Sequence, residues 1–303
     1  MKNTVVSTLA PTLPRTRRKF SLTPYVFLLL PALFLIIFFF YPLFETILLS
    51  LSNFSGMGAR QFIGLSNYFN MVKDPVFRTA LKNTLIYTSG VVPALVIFGF
   101  ALAVLVEQKI RGKNIFKASY YIPVITSMVA VGITWRMLYN QKGLINYVLA
   151  SLGLLKTGPA WIANASLALP SLMLVTFWQA VGSYMVVFSA GLKDIPKELY
   201  EVAMIDGAGF LQRVRYITIP LMRRYIMLGT VLAIIGNMKV FTEVYVMTQG
   251  GPGNATLVLN LQSYFWAFKF LRLGYGASAG VIMLIIVLFL TMITIGLFEL
   301  RGE

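Results

Sequence analysis

The chain has no cysteine and no histidine among its 303 residues, and those two absences remove much of protein chemistry before any motif is considered. They exclude a disulfide framework, a zinc site built on thiolate or imidazole, a thiol nucleophile and an imidazole general base. Charge is scarce too: Asp, Glu, Lys and Arg together make up 12% of the residues, against about a quarter in soluble domains. Acidic residues are the scarcest, 10 against 26 basic ones. The phosphate-cradling pattern of two glycines bracketing four residues before Lys and Ser/Thr does not occur, so nucleotide chemistry has to come from a partner. What the chain has instead is apolar surface, with 58% hydrophobic residues and a mean hydropathy of +0.77. That is too apolar for a nucleic-acid-binding domain carrying its net +16 as a basic patch. It points to a membrane protein whose work is binding, passage or scaffolding.

A hydrocarbon core about 30 Å thick takes about 20 helical residues. Apolar stretches of that length, bounded by charge, Gly or Pro, fall at 25–51, 84–106, 119–140, 167–189, 225–248 and 273–298. They cover close to half the chain, which predicts one all-α integral membrane domain over 25–298. A basic segment, 1–24, precedes it and a short tail, 299–303, follows. Arg15, Arg17, Arg18 and Lys19 could open a signal peptide or an anchor. The apolar run after them is too long for a signal peptide, holds Pro31 and Pro42 and has no small-residue cleavage site behind it, so it is expected to be retained. Segments 1–24, 107–118, 190–224 and 299–303 hold 16 of the basic residues, and the alternate loops 52–83, 141–166 and 249–272 hold 8. The excess of Lys and Arg on cytoplasmic loops then predicts both termini in the cytoplasm.

Loop 190–224, on the predicted inner side, is patterned as folded structure. Asp194 is placed as an N-cap and Pro196 in the first turn. The first helix ends near Asp206, with Gly207 or Gly209 closing it in a left-handed conformation. A second helix is expected from about Phe210 to Ile217, stopping before Pro220. Glu198 and Glu201 are i,i+3 neighbours, while Leu199, Val202 and Ala203 share another face. Such a pair of helices either enters a groove on another protein or only connects two spans.

The order Glu201-Val202-Ala203, three residues, Gly207, nine residues, Ile217, one residue, Ile219-Pro220 resembles the EAA loop of ABC importer permeases. Glu201, Ala203, Gly207, Ile217 and Pro220 match that pattern, while Val202 and Ile219 replace its Ala and Leu. Asp206-Gly207-Ala208, Phe62-Ile63-Gly64-Leu65, Asp74-Pro75-Val76-Phe77, Asn83-Thr84 and Thr248-Gln249-Gly250-Gly251-Pro252 with Thr256 are similar to segments of the carbohydrate-uptake, MalF-type members. The resemblance covers nearly the whole chain. It implies the type I ABC importer permease fold: six transmembrane helices with a cytoplasmic coupling helix, in a bacterial or archaeal plasma membrane. It also implies a permease subunit of a binding-protein-dependent importer that forms, with a second permease, the path for a sugar or polyol. An extracytoplasmic solute-binding protein would deliver the substrate and two cytoplasmic ATPase subunits would drive transport. The chain would then be no enzyme and bind no metal or cofactor of its own, ATP and Mg belonging to the ATPase. On this resemblance the coupling surface comprises Glu198, Glu201, Ala203, Asp206, Gly207, Ile217 and Pro220. Glu201 would be a polar contact, Ala203 a small packing position and Gly207 the turn.

Ionisable groups inside spans are costly and therefore informative. Lys239 and Glu243, i,i+4 in the fifth span, either neutralise each other within the helix or line an aqueous path with Asn237 and Thr242. In the fourth span Thr176, Gln179, Ser183 and Tyr184 offer hydroxyl, amide and aromatic groups suited to a hydroxyl-rich ligand. The same groups also serve interhelical packing. An ion-coupled secondary transporter is the alternative reading; it could start its coupling site only from Lys239 and Glu243, and it leaves the loop pattern unexplained. Asn-x-Ser/Thr triplets at Asn53, Asn164 and Asn254 fall in outer loops, where they arise by chance.

Overall fold

The computed structural model describes residues 23–108, 112–154 and 158–299. The basic cluster from Arg15 to Lys19 and the tail beyond Glu299 lie outside the described residues. Residues 1–45 and 46–303 form two separate units. In the first, α1 (Thr23–Leu35) passes through a π-helical turn, Ile36–Phe40, into the start of α2 (Tyr41–Ser50). The wide turn lies just before Pro42, which lacks the N–H for an i→i−4 bond. Phe27, Leu30, Phe34 and Phe38 are all exposed. A helix apolar on every side belongs in lipid or against other helices.

The second unit opens with a two-residue hairpin, β1 (Ser52–Asn53) antiparallel to β2 (Gln61–Phe62), in the register Ser52↔Phe62 and Asn53↔Gln61. Helix α3 (Ser66–Lys73) carries Asn67, whose side chain donates to the Ser50 and Ser52 carbonyls at 2.9 and 3.0 Å. Asp74 then caps α4 (Pro75–Val106) by accepting from the Val76 N–H at 2.8 Å, with Pro75 where a missing N–H costs nothing.

The expected span 119–140 is broken into two helices. Helices α5 (Lys113–Ile125) and α6 (Met128–Leu138) meet at 95°. Thr126 and Ser127 at the break are extended, and the Thr126 carbonyl accepts from Gln179 Nε2 at 3.3 Å. Helix α7 (Leu144–Ser151) lies in the following loop, and α8 (Ala165–Lys193) begins where Asn164 accepts from the Ser166 N–H and hydroxyl. The Asn164 triplet is therefore a helix cap.

The loop holds α9 (Lys197–Ile205), α10 (Phe210–Arg213), a π-helical turn Val214–Thr218 and α11 (Ile219–Leu221). Then come α12 (Arg223–Met238), α13 (Thr242–Met247), α14 (Leu259–Tyr264) and α15 (Leu273–Glu299).

Helix α4 packs along α8 and is crossed by α12; α5 lies against α8, α6 against α13 and α15 against α12 and α14. The α5–α8 approach depends on Gly182, where a Cβ would sit 2.0 Å from the Tyr120 carbonyl oxygen. A core of Tyr87, Val91, Leu95, Leu172, Val175 and Val244 fills the middle, and Ala103, Val106, Met185, Phe188, Ile195 and Met222 support the base of the loop. With α1–α2 and α12–α13 each taken as one run (Phe27–Ser50 and Arg223–Met247), five described helical segments are long and apolar enough to cross a membrane, or six with the bent α5–α6 pair counted as one.

Candidate functional site

The loop begins by correcting one expectation. Asp194 does not cap α9; it ends α8 and accepts a hydrogen bond from the Tyr225 hydroxyl. Pro196 occupies the N-cap position of α9, which cannot be capped by its side chain. Glu198 in the first turn supplies the negative charge that the helix N-terminus favours. At the other end the geometry explains the spacing of the motif. Gly207 is left-handed at φ +79°; the Ala208 N–H reaches the Ala203 carbonyl at 2.8 Å and the Gly207 N–H reaches that of Met204 at 3.1 Å. This is a Schellman closure. Nothing lies within 4 Å of where a Gly207 Cβ would be, so the requirement for glycine there comes from the backbone.

Past the turn, the Gly209 N–H donates to Gln212 Oε1 at 2.7 Å. The second helical run does not stop before Pro220 as expected: α10 passes into the π-helical turn Val214–Thr218 and on into α11, where Pro220 sits in the first turn, a place that tolerates its missing N–H. Tyr200 and Thr218 hydroxyls pair at 3.0 Å and tie α9 to that turn. Glu198, Glu201, Asp206, Gly207 and Pro220 are exposed, and Ala203 and Ile217 are half-buried. Beside them Val202, Met204, Leu211 and Tyr216 are exposed to more than half, and Ile205 is 85% exposed. The loop therefore presents an apolar face edged with carboxylates that its own fold leaves uncovered.

At the root of the loop Glu107, just beyond α4, pairs with Lys117 and lies 3.9 Å from Lys113. Burial works against its charge, but Lys117, Lys113 and Lys193 outweigh that and hold its carboxyl below the ordinary value.

Within the bundle, Lys239 and Glu243 do not share a helix. Helix α12 ends at Met238, Lys239 and Val240 turn tightly onto Gly236 and Asn237, and α13 starts at Thr242. In a continuous helix the Lys239 carbonyl would accept from residue 243; here it accepts from Asn260 Nδ2 at 2.9 Å. Lys239 is exposed. Glu243, 8% exposed, instead accepts from the Thr176 hydroxyl at 2.9 Å and the Tyr87 hydroxyl at 3.2 Å, and those two hydroxyls meet at 2.5 Å. Of the two alternatives the intrahelical ion pair is absent, and Glu243 instead belongs to a node joining α4, α8 and α13.

Sequence reasoning missed Tyr87 and Asn260. Tyr87 lies in an apolar run, and its only signal is that a phenol buried in a span must find a partner. Of the other candidates, Gln179 braces the break in the third segment. Ser183 and Asn237 donate within their own helix to Ala180 and Ala233 at 2.7 and 2.8 Å, and half-buried Tyr184 packs beside the cores at both ends of α8. The structure thus brings Thr176 and Glu243 together and leaves Lys239 apart from them. Among the described residues no group of three or more Asp or Glu side chains could hold a metal ion.

At the opposite end, the segment from Thr248 to Pro252 is folded on itself and onto α4. Thr248 and Thr256 hydroxyls pair at 2.7 Å, and Asn83 Nδ2 donates to the Asn254 and Leu257 carbonyls at 2.9 and 3.0 Å.

Residues 8–301 match the family described as binding-protein-dependent transport system inner membrane component. The chain is 35% identical to the probable ABC transporter permease protein YurN of Bacillus subtilis, over 93% of this chain and 98% of that one. It is 34% identical to the arabinooligosaccharides transport system permease protein AraP of the same organism, over 92% and 90% of the two chains. With the lactose transport system permease protein LacF of Rhizobium radiobacter the identity is 31%, over 85% and 88%. In fold, the chain is similar to a crystal structure of a bacterial ABC transporter involved in the import of the acidic polysaccharide alginate. The TM-score is 0.81 at 19% identity, with 93% of this chain and 96% of that one covered.

Proposed function

The chain belongs to the family of binding-protein-dependent transport system inner membrane components and is a permease of such an importer, and from that premise we propose that it carries a sugar across the membrane in company with a second permease. Energy comes from ATP hydrolysed, with Mg, in two cytoplasmic ATPase subunits, and substrate from an extracytoplasmic binding protein. Relatives named for arabinooligosaccharide and lactose transport support the sugar class, as does a fold shared with an alginate importer crystallised with a substrate-bound periplasmic protein.

The observation that carries the coupling role is the loop from Lys197 to Leu221. Its apolar, carboxylate-edged face is left uncovered by the loop's own fold, and its Gly207 turn fixes the angle of α9. Closure of an ATPase dimer around α9 pushes on the base of α8 and α12 through Ile195 and Met222, which are buried in the core beneath the loop. Both termini lie in the cytoplasm on the loop-charge asymmetry. Thr176, Gln179, Ser183, Tyr184, Asn237, Lys239 and Glu243 remain the pathway candidates, with Lys239, exposed beside the helix break, available to solvent or substrate.

Co-purification tests the assembly, and ATP-driven sugar uptake by the reconstituted complex tests the activity. Uptake that follows an ion gradient and ignores ATP would overturn it in favour of a secondary transporter.

A further inference from the structure

Two adjoining hollows lie behind the coupling loop and share Val104, Phe210 and Val214. The outer one, about 510 Å³, is walled almost entirely by apolar side chains of α4 and the loop, among them Ile97, Phe100, Ala101 and Ile219. The inner one, about 550 Å³, is edged by Lys193, Lys197 and Arg213. Its one acid, Glu107, is already engaged by Lys117 and Lys113 from the start of α5. Arg213 lines the hollow, and its buried Nε has no hydrogen-bond partner among the described residues, so the guanidinium is not neutralised by the chain itself.

An apolar trough opening onto a cationic chamber at a membrane boundary has the two-part chemistry of a lipid. We propose that an anionic phospholipid of the cytoplasmic leaflet occupies this site, with an acyl chain along α4 in the trough and its phosphate between Lys193, Lys197 and Arg213. A free anion would use the chamber but leave the trough unexplained, and a zwitterionic headgroup would bring its own cation to three already present. Since the walls belong to α4, the end of α8 and both arms of the loop, the lipid would brace the loop against the bundle. The inference rests on the membrane-permease reading.

The test is native mass spectrometry of the full-length chain offered phosphatidylcholine vesicles with and without phosphatidylglycerol. Phosphatidylglycerol should be retained in preference. Lys197→Gln and Arg213→Gln should each weaken retention roughly five-fold. Ala101→Trp, which fills the trough and removes no charge, should weaken it as well, while Lys82→Gln near the other end of α4 should not. Equal retention of both lipids, retention unchanged in the three site variants, or an equal loss in Lys82→Gln overturns the proposal. Displacement of the lipid by inorganic phosphate also overturns it, showing a free-anion site. Retention is read on the chain itself, so absent sugar uptake with retention intact counts against the proposed function alone.

Discussion

The node at Tyr87, Thr176 and Glu243 and the loop from Lys197 to Leu221 both contain carboxylates, and they treat them in opposite ways. In the bundle Glu243 is buried and accepts two hydroxyl hydrogen bonds from two other helices; in the loop Glu198, Glu201 and Asp206 are exposed beside uncovered apolar side chains. A buried polar group is costly unless something bonds it, and at Glu243 the fold itself supplies the bonds. A surface that is apolar and charged at once is satisfied by something else. The first region is closed by the chain itself and the second is left open for the partner proposed above, so damage to each should register in a different measurement.

The largest effect is expected from Glu243→Ala, which removes the shared carboxylate and leaves the Tyr87 and Thr176 hydroxyls only each other to bond; it should cost about 2–3 kcal/mol of stability, read as a lowered thermal midpoint in detergent. Glu243→Gln keeps one acceptor oxygen and should lose less than half as much; equal losses would mean that the node is not what holds Glu243.

Next is Gly207→Val. Forcing a β-branched residue left-handed costs about 1–2 kcal/mol, which lowers the ratio of correctly turned to misturned loop roughly 5- to 30-fold. ATP-driven uptake should fall accordingly while the thermal midpoint of the bundle stays near wild type. Glu201→Lys should likewise reduce uptake without touching the midpoint; normal uptake in both would break the contrast.

Tyr87→Phe comes third, at about 1 kcal/mol, since Thr176 still reaches Glu243. The smallest effect is that of Glu107→Gln at the root of the loop, about 0.2–1 kcal/mol at neutral pH. Because the lysines hold the Glu107 carboxyl below its ordinary value of 4.5, its contribution is fully present above 4.5 and is lost as pH falls through the lowered value. The gap between the variant and wild type should therefore close under acid and persist at neutral pH.

The contrast also marks how much could be read from the sequence. Apolar length placed the long helices, and local chemistry narrowed the closing turn to Gly207 or Gly209, because a left-handed closure depends on one residue type and its immediate neighbours; the structure puts it at Gly207. The Lys239–Glu243 relation was not legible, since periodicity puts them on one face and the break between them is held by Asn260, 21 positions away. Tyr87 was invisible for the same reason, its partners being 89 and 156 positions distant. Asp194 has the right side chain for a cap, yet the neighbouring Tyr225 claims it. Short-range signals were dependable where the backbone alone decides and failed where a distant side chain does.

The bend between α5 and α6 has a further consequence. At about 1.5 Å per residue the 13 residues of α5 and 11 of α6 reach about 20 and 17 Å, and neither alone covers a hydrocarbon layer of about 30 Å. A segment that turns has one length along the chain and a shorter one along the membrane normal, and lipid responds only to the second. A thicker bilayer would therefore be felt first at the corner beside Thr126, where Gln179 holds the exposed carbonyl.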